Sequence, residues 1–334
     1  MNSTFNFRAI CQKYAHSSNY YIIGGYVAFI SASVASTLLL SNSNLRRTYP
    51  LFLALAIADV SNGLSYLLAG HVQKSSWMEL DQGYSDPEFR PKPRLKKDCL
   101  KIPFSMIAIY GLQAITVVNT CIAIQRFIAV VHPVWFYQNW RMRENLIAIL
   151  FSNGFVFINL FLVIYDIVSA ENQYLSALFP VCFNSGTWPR WFLSYNRHLC
   201  VFADLGYSFL TLLTALLFCA KRAQLVNQSR QNARILLTFA IIVLVHFLFV
   251  TIPNGLMLSM HYITVRINPT LINCLFCADS AARLAIYVAF LEDFQAVVFG
   301  RCRKNAISDT FTLPVTSTAG TQNKTGRGET ELGD

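Results

Sequence analysis

Seven long apolar runs, separated by short polar segments, dominate the hydropathy pattern of this chain. Each run has about the 20 predominantly apolar residues that a helix needs to cross a lipid bilayer. The runs do not alternate every second residue, so they predict helices and not the strands of a β-barrel. The pattern therefore predicts an all-α membrane protein, a bundle of seven transmembrane helices. The predicted spans are residues 20–40, 49–70, 102–131, 145–165, 199–220, 235–260 and 270–291.

Composition excludes the soluble classes of protein. The chain has 334 residues, of which 54% are hydrophobic and 13% are charged, whereas a soluble domain carries roughly 25% charged residues. A soluble enzyme could not cover its surface with so few charges, and a disordered chain needs low hydrophobicity. The net charge of +10 does not indicate a nucleic-acid partner, because the basic residues lie in short segments between the apolar runs. They indicate membrane topology, with the lipid bilayer as the partner.

Seven spans place the two termini on opposite sides of the membrane. With the C-terminus in the cytosol, the inner segments hold 13 Lys and Arg residues and the outer segments hold 12. Segment 71–101 accounts for this near tie, because it carries seven of the outer basic residues. Asn2 begins an Asn-Ser-Thr glycosylation sequence, which favours an outer N-terminus, although Asn227 begins a similar sequence on the inner side. We expect an extracellular N-terminus at 1–19, a seven-transmembrane domain at 20–300 and a cytoplasmic disordered tail at 301–334.

Charged side chains inside the predicted spans are the sharpest chemical signal. A charge at the bilayer centre costs at least ~2.5–3.5 kcal/mol on insertion scales, so such residues are normally paired or face the bundle interior. Asp279 and Arg283 stand four residues apart and share one helical face. Asp204 has no partner within its own span, and we interpret His246 as an isolated packing residue. Because no cluster of ligands at metal-binding spacing is visible, we expect no metal, no cofactor and no enzyme activity.

Short motifs in four of the spans carry a resemblance to a known family. The run QRFIAVVHP at 125–133 is similar to the cytoplasmic end of helix three in rhodopsin-like G-protein-coupled receptors, and LAIAD at 55–59 is similar to their helix-two motif. Pro253 matches their helix-six proline, while Tyr287 and Phe294 keep their spacing from helix seven into a short amphipathic eighth helix. The form of the 125–133 run resembles the nematode serpentine chemoreceptors of class V, with classes X, U and T as near alternatives.

The resemblance implies a receptor of the plasma membrane that binds a small-molecule ligand outside and activates a heterotrimeric G protein inside. Gln125 stands where the family has an acidic residue, and Arg283-Leu284 stands where it has Asn-Pro, so the form of the activation switch stays open. The alternative interpretation of Arg126 is an arginine whose head group reaches the membrane interface. The residues implied in G-protein coupling are Gln125, Arg126, Phe127, Pro133 and Tyr287.

The family frame also places Arg283 opposite Asp59 of the second span. We therefore predict an intramembrane polar cluster of Asp59, Asp279 and Arg283. In this cluster Arg283 would take the place of the sodium ion that many relatives bind near the helix-two aspartate. A purely structural ion pair, with no switching role, is the alternative.

Cysteines provide the candidate covalent links. The resemblance implies a disulfide between Cys99 and Cys182, which would join the start of the third span to the second outer loop. Cys302, among basic residues beyond the eighth helix, is a candidate for palmitoylation, with a free thiol as the alternative. Four further cysteines lie near the outer side and could form a second bridge, whose pairing the sequence does not define: Cys11, Cys200, Cys274 and Cys277.

The ligand pocket of the family lies between the outer halves of spans three, five, six and seven. An apolar pocket with a few amides suits a small neutral or weakly polar odorant. Simple helix packing is the alternative for most of the residues there. The implied ligand-binding residues are Ala108, Ile109, Leu112, Gln113, Asn254, Met257 and Asn273.

A second class of protein competes with the receptor. Seven-helix ligand-gated cation channels of the insect odorant-receptor type place the C-terminus outside. That orientation would put the basic residues of segment 71–101 in the cytosol, where the positive-inside rule expects them. A transporter built from inverted halves is disfavoured, because the sequence has no visible internal repeat.

Overall fold

The computed structural model describes residues 7–83, 94–170, 174–175, 181–182, 187–222, 240–262 and 269–299. Seven helices in these ranges are long and apolar enough to cross a membrane. This confirms the predicted all-α seven-helix bundle. The helices in chain order are α1 (Phe7–Ser41), α2 (Ser43–Thr48), α3 (Pro50–Gly83), α4 (Lys96–Leu100), α5 (Pro103–Val131), α6 (Pro133–Asn139), α7 (Met142–Ser169), α8 (Arg190–Arg222), α9 (240–262, with a π-helical segment at Phe247–Thr251), α10 (Pro269–Phe290) and α11 (Glu292–Val298).

The spans predicted from hydropathy correspond to α1, α3, α5, α7, α8, α9 and α10. Proline marks several of their ends. Pro103 follows the N-cap residue of α5 and Pro133 begins α6, because a proline at the first helical position loses no helical hydrogen bond. Consequently α5 coincides with predicted span 102–131 to within one residue.

Two predicted boundaries were wrong by several turns. Helix α1 begins at Phe7 and not at residue 20, and α3 continues to Gly83 and not to residue 70. The two extensions pack against each other, with Cys11 of α1 buried in one cluster with Trp77 of α3. The ring of Tyr14 stacks on Trp77 at 4.9 Å between centroids. Segment 7–19 is therefore part of the helical bundle, and the first half of segment 71–101 is helix.

Helix α8 also begins earlier than predicted, at Arg190 and not at residue 199. Its first turns are stabilised by contacts with other segments, which an average of hydropathy along the chain does not include. Phe192 is buried against Trp188 and the α7 residues Val163 and Ile167. The indole Nε1 of Trp191 donates a hydrogen bond to Asp166 at 3.1 Å.

Helices α1, α3 and α5 approach one another closely at glycines. A Cβ atom added to Gly25 would lie 2.4 Å from the backbone nitrogen of Leu67, and one added to Gly63 would lie 2.5 Å from that of Phe29. Gly111 brings α5 against α3 in the same way. Small residues permit this backbone contact, and in lipid helix association relies on close packing.

A disulfide between Cys99 and Cys182 closes one end of the bundle, which is the pairing that the resemblance implied. The Leu175 backbone N–H donates to the Arg94 carbonyl at 2.8 Å and ties the same two segments together. Beside it, the Lys101 ammonium donates to Asp98 at 2.8 Å and lowers the pKa of that carboxyl. The other candidate cysteines do not form a second bridge, since Cys11, Cys200, Cys274 and Cys277 are all free. We call this the disulfide end.

The opposite end, which we call the Arg126 end, contains the last turns of α5 with Arg126. Here α11 turns back under the bundle, and its Phe294 is 1% exposed. The Tyr287 ring of α10 packs between Phe52 and Phe294, at 5.5 Å between centroids on both sides. This short helix is the predicted eighth helix.

Candidate functional site

Five ionisable side chains meet in the interior of the bundle. They come from four helices: Asp59 from α3, Asp204 from α8, His246 from α9, and Asp279 and Arg283 from α10. None is more than 4% exposed. We call this group the charged cluster. Burial of so many charges is costly unless they are paired and hydrogen-bonded, so their contacts decide what the cluster can do.

Arg283 is the centre of the charged cluster. Its Nη1 donates to both oxygens of Asp59, at 3.1 and 2.9 Å, and its Nη2 donates to Asp279 Oδ2. Ser280 donates a further hydrogen bond to Asp59 at 3.0 Å. The structure thus brings together the three residues of the predicted polar cluster. Arg283 occupies the space between the two carboxylates.

His246 and Asp204 extend the cluster beyond the sequence prediction. The interpretation of His246 as isolated was wrong, because its Nδ1 lies 3.3 Å from Asp279 Oδ2 and its Nε2 lies 3.3 Å from Asp204 Oδ1. Asn254, one of the predicted ligand residues, donates to Asp204 Oδ2 at 3.2 Å. The signal available in the sequence was the absence of a partner for Asp204 and His246 within their own spans, which in a membrane calls for partners on other helices.

The formal charges of the cluster do not balance. Three carboxylates face one guanidinium and one imidazole, so the sum is −2 with a neutral histidine and −1 with a protonated one. Asp279 Oδ1 is buried with no hydrogen-bond partner in the part of the chain that the structure describes. Among those residues, no group of three or more His, Cys, Asp or Glu side chains could hold a metal ion.

Arg126 lies in the last turns of α5, near two tyrosine side chains. Its electrostatic neighbours are Tyr49, after α2, and Tyr137, on α6. Partial burial raises the pKa of Tyr137, while the Arg126 guanidinium opposes that rise. Phe127 is half-buried and Pro133 is exposed at the start of α6. The guanidinium thus sits where α5, α6 and the α2–α3 connection meet.

Gln125 takes part in a hydrogen-bond network that joins two helices. Its Nε2 donates to Asn145 Oδ1 at 3.0 Å, and Trp140 Nε1 donates to the same oxygen at 3.0 Å. Asn145 Nδ2 donates in turn to the Arg141 carbonyl at 3.3 Å. Asn145 therefore joins α5 to the start of α7. Tyr287, also implied in coupling, is 2% exposed and belongs to the core.

Two of the predicted ligand-binding residues, Gln113 and Asn273, are hydrogen-bonded to side chains of other helices. Gln113 donates to Asn196 at 2.8 Å and accepts from Asn159 at 3.3 Å, which links α5, α7 and α8. Asn273 donates to Tyr21 at 2.8 Å and accepts from Tyr66 at 3.2 Å, which links α10, α1 and α3. Both amides are thus used by the protein itself.

The apolar members of the predicted set are packing residues or partly buried ones. Ile109 is buried beside Trp188, and Met257 packs against the cluster that contains Phe276. Ala108 and Leu112 are partly buried. A cavity of about 260 Å³ lies elsewhere, between the extensions of α1 and α3, and none of the predicted residues lines it. Its walls include Gln12, His16, Asn19, Lys74, Met78 and Asp81.

Two predicted modification sites, Asn2 and Cys302, lie outside the described residues. The same holds for the whole of the predicted tail at 301–334 and for residues 1–6.

No protein-family model matches the chain, and a search of curated proteins finds no match either.

Proposed function

We propose that the chain is a G-protein-coupled chemoreceptor of the plasma membrane. Its N-terminus is extracellular and its C-terminus is cytoplasmic. A small neutral or weakly polar molecule binds from outside, and the Arg126 end activates a heterotrimeric G protein. The observation that carries this proposal is the arrangement along α5. The disulfide lies just before Pro103 at one end, and Arg126 lies 23 residues later near the other.

The disulfide supports the orientation. Disulfides form and persist in oxidising compartments and are rare in the cytosol. The Cys99–Cys182 bridge therefore favours the disulfide end outside, together with segment 71–101, in spite of that segment's basic residues. This argues against the inverted topology of the channel.

Basic side chains at the Arg126 end suit a cytosolic surface. Arg46 and Arg47 on α2 are exposed, as are Arg141 and Arg143 at the start of α7. Such residues attract anionic lipid head groups and acidic protein surfaces. They surround the helix ends near Arg126, which is the surface that the family resemblance assigns to the G protein.

The charged cluster supplies a means of changing conformation. It connects α3, α8, α9 and α10 through hydrogen bonds whose partners can be exchanged. A ligand that binds one arrangement of these helices more tightly than another shifts the population toward it. In this proposal the contacts of the cluster belong to one of the two states that a receptor requires.

Topology is the first test of this proposal. Epitope tags at each terminus are read on intact and on permeabilised cells, and Asn2→Gln serves as the control for glycosidase sensitivity. The proposal expects an accessible, glycosylated N-terminus and a C-terminal tag that is stained only after permeabilisation. A C-terminal tag accessible on intact cells contradicts the receptor and makes channel electrophysiology the next measurement.

Coupling is tested with purified heterotrimeric G protein and the full chain in nanodiscs. Nucleotide exchange on Gα above the empty-nanodisc level measures basal activity without a known ligand. Arg126→Ala should abolish this exchange, while Arg190→Ala, which changes an exposed arginine at the start of α8 on the disulfide end, should retain it. Full exchange by a well-expressed Arg126→Ala variant contradicts the assigned role.

A further inference from the structure

The imidazole of His246 faces a carboxylate at each of its two nitrogens. Nδ1 lies 3.3 Å from Asp279 Oδ2, and Nε2 lies 3.3 Å from Asp204 Oδ1. A neutral imidazole has one N–H donor and one lone pair, whereas an imidazolium has two donors. Only the protonated ring can donate to both carboxylates. We propose that His246 is a proton-binding site, and that its proton locks α9 to α8 and α10.

The groups around His246 favour the bound proton. The charged groups near His246 include Asp59 of α3 and Asp204 of α8. The α10 side contributes Asp279 and Arg283, while the one charged residue in the sequence of α5 is Arg126, near the far end of that helix. With three carboxylates and one guanidinium, the proton on His246 reduces the unbalanced buried charge from −2 to −1. The uncharged titratable groups near the cluster are Cys200 and Tyr207 of α8 and Tyr287 of α10.

A partner exchange follows when the proton leaves. Arg283 Nη2, which donates to Asp279, also lies 3.3 Å from His246 Nδ1. In the protonated state Nδ1–H donates to Asp279. Once that proton passes to solvent, the Nδ1 lone pair accepts from Arg283 Nη2, while Nε2–H still donates to Asp204. Loss of the proton therefore replaces the charged His246–Asp279 contact between α9 and α10 with a weaker hydrogen bond from Arg283 to a neutral imidazole, and it keeps the bond between α9 and α8.

The helix around His246 is irregular in a way that suits movement. A π-helical segment, Phe247–Thr251, begins at the next residue, and Pro253 follows it. π-Helical turns within α-helices are frequent at functional sites. Two side chains of α9 contact Asp204 of α8. His246 precedes the π-helical segment and Asn254 follows it. A shift of His246 relative to Asp204 thus affects the part of α9 that follows the π-helical segment.

The direction of the pH dependence follows from the arrangement in which His246 carries its proton. The arrangement in the structure uses the proton, so it binds the proton more tightly than an arrangement in which α9 has moved from Asp279. Acidification therefore favours the locked arrangement and alkalinisation favours release. This inference concerns the proton alone and holds whether or not the chain couples to a G protein.

Histidine-selective ¹⁵N NMR of the full chain in nanodiscs tests the site directly. The chain has six histidines, and His246→Gln identifies the His246 signal by its loss. A complementary variant with the other five histidines changed to Gln carries the signal alone, in case His246→Gln does not fold. At pH 7.5 we expect both nitrogens of His246 to be protonated, because each then donates to a carboxylate. A neutral His246 in the wild type overturns the proposal.

The Asp204→Asn variant tests the role of the carboxylates in the same experiment. It keeps the shape of the side chain and removes one charge, so we expect a neutral His246 at pH 7.5. A thermal unfolding series tests the locking of the helices. The wild type should lose at least ~3 °C more in Tm than His246→Gln between pH 6 and pH 9, which corresponds to roughly 1 kcal/mol. Equal losses in the two proteins overturn the lock, and an Asp204→Asn spectrum identical to the wild type overturns the site.

Discussion

Arg283 on α10 donates two hydrogen bonds from its Nη1 to the carboxylate of Asp59 on α3, at 2.9 and 3.1 Å. Its Nη2 holds Asp279 one turn earlier on its own helix. One guanidinium therefore pairs with two carboxylates that are each at most 4% exposed. Removing one partner of a buried ion pair is more damaging than removing both, because it leaves an uncompensated buried charge.

This relationship predicts the effect of Arg283→Gln. The variant leaves Asp59 and Asp279 without their guanidinium and should destabilise the fold by about 3–5 kcal/mol. The double variant Asp59→Asn with Arg283→Gln also removes the charge of one of the two buried carboxylates, so it should recover part of that loss. Fluorescence-detected size exclusion and thermal unfolding in detergent measure both. The control is Arg143→Gln, an exposed arginine, and the prediction fails if the double variant is no more stable than Arg283→Gln.

Close backbone contact between α1 and α3 gives a second prediction. Gly63→Ala would place a Cβ atom 2.5 Å from the Phe29 backbone nitrogen. The backbone cannot give way as a flexible side chain could, so the two helices must separate. We expect a loss of about 1–3 kcal/mol, the usual range for overpacking, measured by thermal unfolding.

Gly206 is the matched control for Gly63. It lies in α8, and no atom outside its own helix backbone is within 4 Å of an added Cβ. Gly206→Ala should leave stability unchanged or raise it by up to about 1 kcal/mol, because alanine is the better helix former. A Gly63→Ala variant as stable as Gly206→Ala would show that α1 and α3 are not packed this closely.

The seven apolar runs were enough to predict the seven helices and both ends of α5. They were not enough for the ends of α1 and α3, because those extensions contain polar residues and lie beyond the longest apolar run. Cys11, Tyr14 and Trp77 stabilise them through contacts between two helices. An average of hydropathy along one helix does not include its contacts with another helix.

The same reason explains what was predicted of the charged cluster. Asp279 and Arg283 were paired from sequence, because a spacing of four residues fixes their position on one helical face. The partners of His246 lie 33 and 42 residues away, on other helices. Their contact depends on how α8, α9 and α10 pack, which local spacing does not determine.

Asn145 provides a prediction at the Arg126 end. Its Oδ1 accepts from both Gln125 and Trp140. Asn145→Ala leaves these two donors without their acceptor and should cost about 1–3 kcal/mol for a buried donor left unsatisfied. Asn139→Ala is the control, because Asn139 is exposed and its amide bonds only to the Trp135 carbonyl of its own helix. Equal thermal unfolding of the two variants would contradict the network.

The disulfide yields the last prediction. Cys99 and Cys182 are both fully buried and close a separation of 83 residues. The double variant Cys99→Ala with Cys182→Ala frees the segment before α5 from the loop after α7, and we expect a loss of 2–5 kcal/mol, roughly the range for removing a native disulfide. Cys219→Ser is the control, since Cys219 is a free and exposed cysteine. Thermal unfolding in detergent measures both. A double variant as stable as Cys219→Ser would mean that helix packing and the Leu175–Arg94 hydrogen bond hold the disulfide end without the covalent link.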